Sequence, residues 1–277
     1  MILFCMEKKI KSYSKLKIKK FYNENGYFIF RNVIHNKYIK ESLREIDYIL
    51  KSQWKLYFKS KFPGRDIAVK KLFYRNKNYR RFLYEILNKR MLGPIQYTKL
   101  DIVKKICSCI GIKTPMFQDA ANRFHIPGEK IFQTGTHQDI GIMKTHNSVT
   151  FWLPLVESLL NSGSLKFWKK SHRENVIVPD GPDYRGHTWI NKSITEKYEE
   201  VWEEYVPGDL VMFHTKIIHT SMPNNSTNCR WAVIFRFDDL SDNKYFDFKI
   251  SPLSVGYTMV ENKKSFTGFK RNVTKLK

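Results

Sequence analysis

The chain has 277 residues, of which 42% are hydrophobic and 15% aromatic, with a formal net charge of +23. That composition supplies a buried core and excludes a disordered chain. No apolar run approaches the roughly 18–20 residues of a bilayer-crossing helix, so no membrane span is expected.

In chain order, residues 1–20 are basic and weakly patterned, an arm leading into a short helix around Lys15–Asn23 that Gly26 stops. Tyr27-Phe28-Ile29-Phe30 reads as a strand of aromatic and β-branched residues. Asn36 is placed to cap a helix whose apolar positions Ile39, Leu43, Ile46 and Leu50 follow one helical face. The polar stretch Phe62-Pro63-Gly64-Arg65-Asp66 reads as a break, with helical patterns resuming at Arg80–Asn88 and Pro94–Ile110. After Gly111 the character changes. Phe117–Ile126, Lys130–Met143, Ser148–Leu155, Ser164–Trp168, Leu210–His214 and Arg230–Phe237 all look extended, separated by Gly, Pro and Asn turns. Short strands at such spacing predict a sandwich or barrel. Residues 172–204 form a polar insertion around Pro179-Asp180-Gly181-Pro182. The economical reading is one domain over 1–277: a helical support with one early strand (1–110), a β core (111–240) and a C-terminal extension (241–277).

Within the β half, Thr136-His137-Gln138-Asp139 sets an imidazole and a carboxylate two residues apart, on one side of an extended segment. A distant third histidine would complete a 2-His-1-carboxylate triad, the arrangement that leaves three positions open on Fe(II). Eight histidines and twelve aspartates would produce about a third of one such pair by chance, so the neighbours must carry the case. His214 and His219 compete for the third place: His214 ends an apolar strand, whereas His219 is followed by Ser221 and then Arg230. An arginine aimed into a barrel interior is costly unless it meets an anion, and a dicarboxylate cosubstrate would supply one. If Arg230 faced the surface instead, Trp231 would be the inward residue.

These pieces in this order resemble the phytanoyl-CoA dioxygenase family of Fe(II)/2-oxoglutarate oxygenases, which includes ectoine hydroxylase. The resemblance spans Phe21–Ile34, His137-Gln138-Asp139, Phe151–Leu155, Asn161–His172 and the run from Pro207 through His219-Thr220-Ser221 to Arg230. It implies a double-stranded β-helix, a jelly-roll or cupin-like core that is mainly β, with N-terminal helices packed on one sheet. It also implies His137, Asp139 and His219 on iron, Arg230 and Ser221 on the distal carboxylate of 2-oxoglutarate, and Trp152 near that cosubstrate. Asn122–Gly128 is expected to add a contact, through either Phe124 or His125. The implied reaction decarboxylates 2-oxoglutarate to succinate and CO2, with ascorbate as reductant in vitro. Halogenating relatives lack the carboxylate ligand, so the presence of Asp139 favours hydroxylation, with desaturation or ring closure open to the same site.

The partners are less legible. The pI of 9.8 fits a polyanion partner, but lysine is scattered from end to end alongside abundant Asn, Ile and Tyr, which favours compositional bias over nucleic-acid binding. A small, anionic substrate fits either reading, with Gln118 and Arg123 as candidate contacts and pocket walls expected from 60–80, 117–126 and 172–204. The alternatives are a nucleic-acid or macromolecule-directed demethylase and a non-catalytic binding protein on the same scaffold. Cys5, Cys107, Cys109 and Cys229 fit no zinc spacing, and Met1–Met6 is too short for a signal peptide; both point to a reducing cytoplasm, and a monomer or homodimer is expected.

Overall fold

The computed structural model describes residues 14–130, 132, 134–177 and 189–243. The residue 1–13 arm with Cys5, the Pro179–Pro182 turn and most of the 241–277 extension lie outside the described residues.

The first half is helical. Helix α1 (Lys15–Asn25) ends at Gly26, whose φ of +86° is left-handed. After β1 (Tyr27–Phe30), α2 (Asn36–Tyr57) buries Ile39, Ile46, Leu50 and Trp54 along one stripe. Its cap is His35, whose Nδ1 accepts from the Lys37 amide at 3.1 Å, one residue ahead of the expected Asn36. Helix α3 (Arg65–Phe73) occupies a stretch where the sequence predicted only a break. Gly64, at φ +101°, redirects the chain, and Ala68, Val69, Leu72 and Phe73 then bury one side. Helix α4 (Lys77–Lys89) is capped by Asn76. The helix expected over 94–110 is two, α5 (Gly93–Thr98) and α6 (Asp101–Ile110), because Leu100 is extended between them.

Two sheets follow. The larger has the order β1-β6-β3-β8-β2, with β2 at Pro115–His125, β3 at Ser148–Pro154, β6 at Leu210–His214 and β8 at Arg230–Asp239. The smaller has the order β5-β4-β7, with β4 at Leu165–Trp168, β5 at Glu200–Trp202 and β7 at His219–Ser221. The 172–204 insertion therefore supplies an edge strand as well as a loop. All pairings are antiparallel, and the sheets face one another as the expected jelly roll. The pleat divides two cores. Phe151, Leu153, Met212, Trp231 and Phe235 point to the helices, while Trp152, Phe213, Phe167 and Ile234 fill the space between the sheets.

One irregularity controls what faces that space. Phe117 pairs with Phe237, but Asp119 pairs with Arg236, so Gln118 is an extra residue, a β-bulge. The bulge flips the parity of β2, setting Asp119, Arg123 and His125 opposite Arg236, Ala232 and Arg230 on the inner face. Gln118, expected as a substrate contact, is not among the residues lining the cavity, and its amide donates to the Ile142 carbonyl at 3.0 Å.

Candidate active site

His137 and His219 face each other across an isolated antiparallel bridge, each amide donating to the other's carbonyl at 3.0 Å. Their rings are 4.2 Å apart at the centroids. The segment was predicted to stay extended to Met143, but Asp139 opens a 3-10 turn, Asp139–Ile142, which swings the carboxylate back toward both rings. His137 Nδ1 lies 2.8 Å from the Gly135 carbonyl and His219 Nδ1 3.1 Å from that of Ile217. A carbonyl only accepts, so each proton sits on Nδ1 and each Nε2 keeps a lone pair. Those Nε2 atoms lie 3.5 and 3.9 Å from Asp139 Oδ1. The three ligand atoms fall within 4.8 Å of one another, a donor set of two imidazoles and a carboxylate that fits a first-row divalent metal.

His214 goes elsewhere. It sits on the helix side of β6, stacked on Tyr22 and accepting from the Lys216 amide at 3.0 Å. Of the two histidines, His219 is the one that lies with His137 and Asp139.

A cavity of about 270 Å³ opens from the triad. Arg230 lies in its wall, 4% exposed, with Nε and Nη1 both buried and without a partner among the described residues. Its guanidinium carbon is 5.8 Å from the Trp152 ring, and Trp231 turns outward to stack on Phe124. Burial, with the nearby Arg123 cation, pushes Arg230 down to about 10, still charged at neutral pH. A buried guanidinium with two such nitrogens is costly unless an anion meets it. Ser221 and Arg123 share this wall, as does His125, whose Nδ1 is also buried and unpartnered among the described residues. Of the Phe124/His125 pair, His125 is thus the one on the Arg230 side of the strand.

Residues 60–80 do not line the cavity; Tyr84 of α4, stacked on Phe132 at 4.0 Å, provides that wall. Of the 172–204 insertion, the described residues Ile190, Lys192 and Glu200 line a neighbouring cavity, with Ser221 common to both. Three polar residues beside the triad went unnoticed in the sequence: Thr150, Asp119 and Arg236. Arg236 shares the pleat face of Arg230, six residues on, which is the signal that could have found it.

The model of the phytanoyl-CoA dioxygenase family matches residues 22–232. The chain belongs to the phytanoyl-CoA dioxygenase family. It is 24% identical over 255 residues to the peroxisomal phytanoyl-CoA dioxygenase of Homo sapiens, covering 84% of this chain and 71% of that one. Among solved structures, the non-heme alpha ketoglutarate dependent carbocyclase SnoK from nogalamycin biosynthesis superimposes with a TM-score of 0.56 at 15% identity, over 83% of this chain and 85% of its own. EctD from S. alaskensis, with 2-oxoglutarate and 5-hydroxyectoine, gives 0.54 at 11% identity, over 84% and 78%. At such identities these two structures speak to the fold, and family membership makes the chain a dioxygenase. Among the described residues no helix is long and apolar enough to cross a membrane.

Two expectations concern stability. A Cβ on Gly163, at φ +87°, would lie 2.7 Å from His125 Nδ1 and 3.2 Å from the Met222 carbonyl oxygen. Gly163→Ala should therefore cost about 1–3 kcal/mol, read as a lower urea midpoint. Burial also lowers His125 from 6.5 to about 4, and His214 and His219 to about 3. Below pH 6.5 the unfolded chain binds protons that the fold refuses, so stability should fall as pH drops toward 4. His214→Phe should flatten that pH dependence by about one proton's share.

Proposed function

We propose that the chain is an Fe(II)/2-oxoglutarate-dependent oxygenase of a small, anionic metabolite. In this reading His137, Asp139 and His219 hold the iron, and Arg230, assisted by Ser221, holds the distal carboxylate of 2-oxoglutarate. The observation that carries it is the convergence, in one cavity, of a two-histidine, one-carboxylate donor set and a buried guanidinium whose Nε and Nη1 have no partner among the described residues. Iron and 2-oxoglutarate, when bound, supply the oxidising chemistry, coupling decarboxylation to oxidation of the substrate. The protein's part is positional. The two Nδ1–H bonds to backbone carbonyls fix the ring orientations before any metal arrives. Trp152 walls Arg230 off from water, which strengthens a charge-assisted hydrogen bond formed there.

Besides Arg230 and the ion-paired Arg236, the cavity wall carries Arg123, close enough to depress Arg230. With Arg230 assigned to the cosubstrate, Arg123 favours a substrate with its own carboxylate or phosphate. Hydroxylation is the default outcome, since Asp139 keeps its place beside both histidines.

The test is succinate release from 2-oxoglutarate with added Fe(II) and ascorbate, screened over anionic and neutral metabolites. Iron-dependent succinate, stimulated most by an anionic candidate, is expected. Absence of both turnover and iron binding would overturn the assignment.

A further inference from the structure

Asp139 is engaged on its far side as well as toward the histidines. Its Oδ2 accepts from Thr150 Oγ1 at 2.8 Å and from Arg236 Nε at 2.9 Å. Its Oδ1 accepts from Arg236 Nη2 at 3.1 Å. A carboxylate offers about four lone-pair positions. Three are occupied, including both on Oδ2, and the one remaining belongs to Oδ1, the atom that faces both Nε2 atoms. Chelation through both oxygens is thereby closed off.

Arg236 is itself held from the other end. Its Nη1 donates to both oxygens of Asp119, at 3.1 and 3.0 Å, and Asp119 stands opposite it because of the Gln118 bulge. The Asp119 side chain is 41% exposed, whereas those of Arg236 and Asp139 are almost fully buried. One guanidinium is therefore divided between two carboxylates, leaving the three-group chain with net charge −1. Were Asp119 neutral, the Arg236 charge would act undivided on Asp139 and weaken it as a donor to a cation.

We propose that Arg236 is a positioning residue that fixes Asp139 as a one-oxygen metal ligand, while Asp119, sharing the Arg236 charge, leaves Asp139 a competent donor. The proposal rests on the metal site assigned above. Its chemistry is that of a planar fork: two parallel N–H bonds set the carboxylate plane, which the point charge of lysine cannot do. A purely structural ion pair would satisfy burial equally well, but it would leave metal affinity independent of the exposed Asp119.

The experiment uses the full chain freed of metal and titrated with Co(II), followed by visible absorption and equilibrium dialysis, with thermal unfolding of the metal-free protein alongside. Wild-type binding is the control: if the wild type takes up no Co(II), the metal site itself fails and the clamp is not the cause. Arg236→Lys is expected to weaken Co(II) binding about 10–100-fold and to change the visible bands, as Oδ2 becomes free to coordinate. Asp119→Asn is expected to weaken it about three- to tenfold, with bands of wild-type position and a nearly unchanged melting temperature. Wild-type Co(II) affinity in either folded variant overturns the proposal. Should Arg236→Lys fail to fold, Asp119→Asn decides alone, and unchanged or tighter binding there overturns it.

Discussion

Replacing His219 with alanine is expected to lower metal affinity by more than about a hundredfold and to abolish iron-dependent succinate release. In the proposed site His219 is one of three ligand residues among the described residues, and outer-shell changes alone cost about 10–100-fold in comparable sites. His214→Ala is the informative partner. Its ring lies on the opposite face of the larger sheet, stacked on Tyr22 and near His172, outside the His137–Asp139–His219 cluster. That variant should keep metal affinity within about twofold while losing about 2–4 kcal/mol of stability, the cost of emptying a packed aromatic position. Isothermal titration with Co(II) and urea unfolding separate the two effects. The opposite pattern, with metal lost in His214→Ala and kept in His219→Ala, would show the wrong histidine assigned.

Those two histidines also show what a sequence can and cannot reveal. His137 and Asp139 were legible because their relation is local, two residues along one extended segment. His214 and His219 were not separable by pattern: Leu210–Phe213 is buried on both faces, so apolar alternation carries no inside-or-outside signal. The same holds for β8, ten buried residues in a row, where Arg230 and Trp231 could have exchanged faces. In β2 the parity depends on the bulge at Gln118, which no spacing announces, and it moved Asp119 and Arg123 inward while leaving Gln118 out. The strands were legible from turn residues and β-branched runs, whereas α3 hid behind Phe62-Pro63-Gly64, a break that proved to be the helix's own entry. The Asp119–Arg236–Asp139 chain joins residues 97 and 117 positions apart in sequence, so no local motif could contain it. Sequence order pointed to the His137, Asp139 and His219 cluster; the pleat, decided by long-range pairing, delivered its surroundings.

Arg230→Met should produce two effects of opposite sign. In the free protein the guanidinium is buried with Nε and Nη1 unpartnered among the described residues, so it contributes a desolvation cost with little return. An apolar side chain of similar length removes that cost, and the melting temperature without ligands should hold or rise by a few degrees. Binding of 2-oxoglutarate should fall about 10²–10³-fold, since a buried, charge-assisted pair that loses one partner typically costs about 3–5 kcal/mol. Arg230→Lys should lie between, retaining charge but not the two-pronged geometry, with affinity reduced about tenfold. The measurement is 2-oxoglutarate binding to the Co(II)-loaded protein by calorimetry, with differential scanning of the metal-free form. A purely structural arginine would show the reverse: a marked loss of stability in Arg230→Met and wild-type affinity for 2-oxoglutarate. Stability surrendered for binding is the signature of a functional residue, and Arg230 is where this chain should display it.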